Sequence, residues 1–202
     1  MNSQTEHCVI KVGGSLLDWP ELAPTLVSWL DRRVVSSCDV VVGGGREVDR
    51  IRRDQPLRGW SDEECHWRAI EVMSATSRQL AQETGLPTVC LDNARSACES
   101  RPSRCIVDLG GWLRREERIP RCWQFTSDSI AAWYASEIKA ARLVLLKSRS
   151  PRTHERRDVS LHSRSGEASA SSKYGDAIVD PLFWNWVAAE TRVELVNLRL
   201  ES

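Results

Sequence analysis

Five short apolar runs recur along the chain: CVIKV (8–12), DVVV (39–42), TVCL (88–91), CIVDL (105–109) and RLVLL (142–146). Their hydrophobicity is nearly continuous and rich in valine, which suits strands covered on both faces. Between them the spacing of apolar positions predicts helices over roughly 19–32, 47–54, 62–84 and 127–140. The third is the best marked. Ser61 and Glu64 make a capping box, Ala69, Ile70, Met73, Leu80 and Ala81 keep near a helical period, and Gly85 followed by Pro87 stops the run. Strands alternating with helices predict an α/β fold, a three-layer α/β/α sandwich with a mostly parallel central sheet. Val193, Leu195, Val196 and Leu198 supply a last edge strand.

One stretch breaks the pattern. From 147 to 173 the chain is crowded with serine and arginine and almost free of apolar residues, so it is expected to be a long polar loop. The 202 residues, 41% of them hydrophobic, are enough for one domain over 1–202 carrying that loop. Lys plus Arg and Asp plus Glu balance at 28 each, so net charge gives no case for nucleic acid or a membrane surface as partner. Seven cysteines without a CxxC pair argue against a disulfide framework and a zinc site. They read as reduced and mostly buried, in a cytoplasmic protein.

The chemistry gathers at two glycine clusters. Gly13, Gly14 and Ser15 follow the first strand, and Gly43, Gly44 and Gly45 follow the second. Such clusters let backbone approach a bound group closely and aim amides at an anion, the more so where a helix begins just beyond. In a parallel sheet both lie at the carboxyl edge, which suggests two phosphate- or carboxylate-bearing ligands side by side. Lys11 sits inside the first apolar run, where an ammonium is costly unless it reaches an anion at the strand end. The plainer alternative is a glycine turn with a lysine that snorkels to water. Neither cluster matches the P-loop or the dinucleotide-binding pattern.

In this order and spacing, VIKVGGSLL, VVVGGGREVDRI and FTSDSIAAWYAS (125–136) resemble the amino acid kinase superfamily, which includes glutamate, acetylglutamate, aspartate and uridylate kinases. The likeness spans about 8–148, with a weaker echo at GDAIVDPLF. Within the superfamily, HWRAIEVM and WQFTSDSIAAW look most similar to the archaeal-type kinase of methanofuran biosynthesis, which phosphorylates aminomethylfuranylmethyl phosphate with ATP and magnesium. The resemblance implies that Lys11 bridges the phosphates of donor and acceptor. It also implies that Gly13, Gly14 and Ser15 contact the transferring phosphoryl group, and that Gly43 to Gly45 with Arg46 hold the acceptor. Asp128 would orient the lysine or a magnesium ion, with Thr126, Ser127 and Ser129 beside it. From the residues alone Asp128 is equally a helix cap. The chain departs from the family where a TDVDGV-like turn usually lines the nucleotide: here it reads KSRSPRTHERR, leaving Lys147 and Ser127 as weak nucleotide contacts, with Lys147 read more simply as an exposed loop residue. Only Lys173, Tyr174 and Gly175 remain of a later glycine-rich stretch.

Other residues carry plainer readings. His66, on the third helix, suits packing or capping better than substrate contact, and His154 and His162 lack metal partners. Of nine tryptophans, Trp29, Trp133 and Trp184 read as core, while Trp60, Trp112 and Trp123 stand beside loops where a pocket or subunit contact is open to them. The expected partner is a small-molecule substrate, and pairing into a homo-oligomer through a helix or edge strand suits such folds.

Overall fold

The computed structural model describes residues 7–33, 37–98, 102–151 and 178–201. Most of the expected polar loop, with His154, His162 and the Lys173–Gly175 remnant, lies outside these residues. All the expected apolar runs form strands: β1 (Cys8–Val12), β2 (Cys38–Val42), β3 (Thr88–Cys90), β4 (Arg104–Asp108), β5 (Arg142–Lys147) and the edge strand β6 (Arg192–Asn197). They make one sheet in the order β3-β4-β2-β1-β5-β6 with every neighbouring pair parallel. From β1 the chain adds β2, crosses to the edge with β3, fills the gap with β4 and then returns to the other side of β1 with β5 and β6. The crevice at the carboxyl ends of β1, β2 and β5 is where open parallel sheets receive ligands.

The helices are α1 (Leu22–Arg32), α2 (Gly45–Arg58), α3 (Asp62–Thr84), α4 (Ala94–Cys98), α5 (Gly110–Leu113) and α6 (Ser127–Glu137). The capping box on Ser61 and Glu64 is present, and Gly85 ends α3 in the left-handed conformation. α2 runs past its expected end at 54 because Pro56 falls in the last turn, where few intrahelical bonds remain to be broken; Gly59, also left-handed, closes it. No residue of α2 is buried.

Strand alternation sorts the core into two layers. Val9, Val41, Leu143 and Leu145 face α6, packing with Trp133 and Tyr134. Cys8, Ile10, Val12, Val40, Val42, Val144 and Leu146 face α1, against Leu26, Trp29 and Leu30. α3 serves both layers, Ile70 and Met73 on the α6 side and Leu80 and Ala81 on the α1 side. Trp112, expected beside a loop, is in the core, edge-on to Trp133 at 4.8 Å, while Trp184 is only partly buried. Of the cysteines whose side chains are described, Cys8, Cys38, Cys65 and Cys105 are buried free thiols, Cys90 is exposed and Cys122 lies between.

At the amino end of the sheet a buried carboxylate ties the layers together. Asp39 Oδ2 accepts from Tyr134 Oη at 2.6 Å and pairs with His7 Nε2 at 2.8 Å; Cys105 Sγ donates to Oδ1 at 3.4 Å. Taking a donor from a buried carboxylate costs more than an average hydrogen bond. Tyr134→Phe is expected to lower unfolding stability by about 1–3 kcal/mol in urea titrations, with the fold retained by circular dichroism.

Candidate functional site

Parity places the charged residues. Lys11 follows Val9 by two positions, and Lys147 follows Leu145 by two and Leu143 by four, so both lysines belong to the α6 face, near the carboxyl ends of adjacent strands. α6 begins above them and carries Asp128 in its first turn. The Asp128 carboxylate lies between the two ammonium groups: Lys11 Nζ is 2.8 Å from Oδ1 and Lys147 Nζ 2.7 Å from Oδ2. All three side chains are at least 88% buried, with exposures of 4%, 9% and 12% for Lys11, Asp128 and Lys147. Burial pushes the Asp128 carboxyl up, but the ammonium groups of Lys11 and Lys147 outweigh it and hold the carboxyl far below the usual carboxylate range. Burial pulls Lys147 down, opposed by Asp128. Lys147 is thus the last residue of a strand and part of a buried ion-pair trio, which corrects its reading as an exposed loop lysine. Asp128 is likewise no helix cap; Thr126 occupies that position and Asp128 turns to the lysines.

The cap is supplied from elsewhere in the chain. Asp180 accepts from the Thr126 amide at 3.2 Å and hydroxyl at 2.7 Å, from the Ser129 amide at 2.9 Å and from the Ser129 hydroxyl. A carboxylate at a helix start is favoured by the helix dipole, and here it fixes the turn that holds Asp128. Burial raises the Asp180 carboxyl, with the Asp128 charge adding to the rise and the Ser129 and Thr126 hydrogen bonds opposing it. Sequence patterning missed this residue; its only signal was its place in GDAIVDPLF.

The two glycine clusters interlock at the same edge. A Cβ on Gly14 would lie 2.5 Å from the Gly45 amide nitrogen, and one on Gly43 would lie 2.9 Å from the Gly14 nitrogen and 3.1 Å from Ser127 Oγ. The Gly13 amide donates to Leu146 O at 2.9 Å and the Gly43 amide to Val12 O at 3.0 Å. These two amides prolong the strand ladder and are not free for an anion; Gly13 and Gly43 contribute close approach. Gly14 and Ser15 open a 3-10 turn (Gly14–Leu16) and Gly45 opens α2, so their amides are first-turn donors without intrahelical partners. Gly45 holds a φ of +60°, which favours glycine. Thr76 Oγ1 donates to Gly43 O at 2.9 Å and braces the second loop on α3. Ser15 Oγ lies 2.8 Å from Ser148 Oγ, beside Lys147. Arg46 is 77% exposed and paired with Asp18 at 2.7 Å, so it stands at the rim.

From Gly44 and Ser127 a narrow cleft of about 60 Å³ runs between α2, α3 and the segment before α6. Val48, Ala69, Ile70, Met73, Phe125 and Ile130 make it largely apolar, and Arg52, His66 and Trp123 also line it. A larger cleft opens at the ends of β3 and β4 around Asp108, Arg78 and Arg114. It lies away from the glycine loops, and Asp108 there is held by Ser74 at 2.6 Å and the Gly110 amide at 2.9 Å, so the first cleft is the better continuation of the charged site. Among the described residues no group of three or more His, Cys, Asp or Glu gathers as a metal site, and no helix is long and apolar enough to cross a membrane.

No family model matches the chain, and no curated protein matches it in sequence. Solved structures do. A uridylate kinase from Archaeoglobus fulgidus superposes with a TM-score of 0.61 at 19% identity, over 96% of this chain and 92% of that one. UMP kinases from Bacillus anthracis (0.58, 14% identity, 96% and 88% covered) and Ureaplasma parvum (0.51, 15%, 72% and 70%) are also similar. The likeness shows the fold: a six-stranded parallel sheet flanked by helices, the amino acid kinase fold.

Since backbone meets backbone between the two glycine loops, Gly14→Ala is expected to separate them, lowering stability by about 2 kcal/mol or more; a thermal melt within 1 °C of the parent would show that the loops do not interlock.

Proposed function

We propose that the protein is an ATP-dependent kinase of a small organic phosphate, working through one domain over 1–202. The observation that carries this reading is the buried trio of Lys11, Asp128 and Lys147 set against the amides of Gly14, Ser15 and Gly45 at one sheet edge. Two ammonium groups face one carboxylate there, so the edge favours anions.

The chemistry asked of such a site is modest. An oxygen of the acceptor's phosphate is already ionised at neutral pH and needs no general base; it attacks the γ-phosphorus of ATP as the bond to the β-phosphate oxygen breaks and ADP leaves. The protein's part is positioning and charge stabilisation. Lys11 meets the charge that develops between donor and acceptor, the first glycine turn supports the transferring group, and the Gly44–Gly45 turn holds the acceptor phosphate. Lys147, beside Ser15 and Ser148, faces the donor. Asp128 holds both ammonium groups in place. Magnesium would arrive with ATP and offset phosphate charge, since Asp128 and Asp180 have their oxygens engaged by lysines and by the start of α6.

The finer assignment, to aminomethylfuranylmethyl phosphate in methanofuran-type cofactor biosynthesis, rests on the similarity of HWRAIEVM and WQFTSDSIAAW. A nucleoside monophosphate acceptor is the second reading, favoured by the solved uridylate kinases. Mixing the protein with ATP, magnesium and either aminomethylfuranylmethyl phosphate or UMP separates them. Phosphorus NMR is expected to show ADP and a diphosphate with the first, and Lys11→Ala is expected to lower kcat by at least about 100-fold. Undiminished turnover in that variant would refute the mechanism.

A further inference from the structure

His66 lies on α3, 5% exposed, and its Nε2 is buried without a hydrogen-bond partner. It lines the cleft that leads from Gly44 and Ser127. A buried imidazole nitrogen left unpaired costs free energy, which a ligand atom would recover. Three other polar side chains of that lining already have partners. Trp123 Nε1 donates to Gln55, Thr126 Oγ1 donates to Asp180, and Arg52 pairs with Asp49 at 3.1 Å while its guanidinium lies over the Trp123 ring at 4.6 Å. Ser127 belongs to the glycine end, next to Gly43. Trp67 stands edge-on to the imidazole at 5.0 Å and Phe125 lies 6.5 Å away, which fixes the ring in an apolar frame.

Resting on the kinase reading, we propose that His66 is the residue that ranks acceptors, its Nε2 hydrogen-bonding one polar atom on the otherwise apolar body of a compact organic phosphate whose phosphate lies at the Gly44 and Ser127 end. Burial first, then the Arg121 charge, pulls the imidazole down to about 4 against the opposing pull of Glu63, so the ring is neutral at physiological pH and Nε2 donates or accepts according to its tautomer. The described lining has no carboxylate, so an ammonium on an acceptor, of an amino acid or of an aminomethyl group alike, would have to donate to a neutral acceptor such as Nε2. Discrimination of this kind comes from a buried polar group that goes unpaired with the wrong ligand.

The test uses benzyl phosphate and its 3- and 4-hydroxy derivatives, whose hydroxyl both donates and accepts. Calorimetric titration of the wild-type protein is expected to show one hydroxylated probe binding roughly 10-fold tighter than benzyl phosphate. His66→Leu is expected to erase that preference while leaving benzyl phosphate within about twofold, and His66→Gln to restore part of it. Nitrogen-15 spectra of the wild-type histidines need no variant: the Nε2 resonance of His66 moves with the hydroxylated probe and stays in place with benzyl phosphate. No preference in the wild type, a preference that survives His66→Leu, a static resonance, or binding of none of the probes would each overturn the proposal. The two readings fail separately. Selective, resonance-shifting binding of a probe, with no ADP formed from ATP and either aminomethylfuranylmethyl phosphate or UMP, sinks the kinase and leaves His66 as a ligand contact; ADP formation with no selectivity among the probes does the reverse.

Discussion

A single carboxylate, that of Asp128, sits between two ammonium groups where water hardly reaches. Taking any one of these ions out of water costs several kcal/mol, and only close pairing offsets it. With contacts of 2.8 and 2.7 Å the pairing is close on both sides. The arrangement constrains three elements at once: the carboxyl ends of β1 and β5 must lie side by side with their α6 faces aligned, and α6 must start above them. The parallel register supplies the first condition, since Lys11 is paired with Leu145 and Lys147 stands two residues further on. Asp180 supplies the second by holding the first turn of α6.

The glycine loops follow from the same geometry. Two strand-to-helix turns end side by side at the switch point of the sheet, and their backbones can meet only if neither carries a side chain at the contact. What results is a small floor of first-turn amides next to a positively charged trio. On one side the floor opens to the Ser148 and Lys147 end of β5; on the other it runs into the apolar cleft lined by His66 and Trp123. Two ligands approaching from these sides would bring their anionic ends together over Lys11.

Much of this was legible in the residues. Continuous apolar runs gave buried parallel strands, and Ser61, Glu64 and Gly85 marked α3 at both ends. The glycine clusters marked the edge. The Lys11–Asp128 pair was reached through resemblance, because no local rule joins residues so far apart in sequence. Lys147 was misread since KSRSPR continues it into polar sequence, although its alternation with Leu143 and Leu145 already put it on the lysine face. Trp112 was misplaced for a similar reason: α5 has only four residues, too few to show a period. Asp180 left almost no trace, since a cap supplied across 51 to 54 residues has no spacing signature.

The central claim is that Asp128 holds Lys11 and Lys147 as a charged pair ready for the phosphates of a donor. Calorimetric titration of magnesium-ATP into the wild-type protein and into Lys147→Met tests it most directly. The account predicts measurable binding by the wild type and a loss of about 10-fold or more in the variant, with the fold unchanged by circular dichroism. Equal affinity in both, or no binding by the wild type, would contradict it.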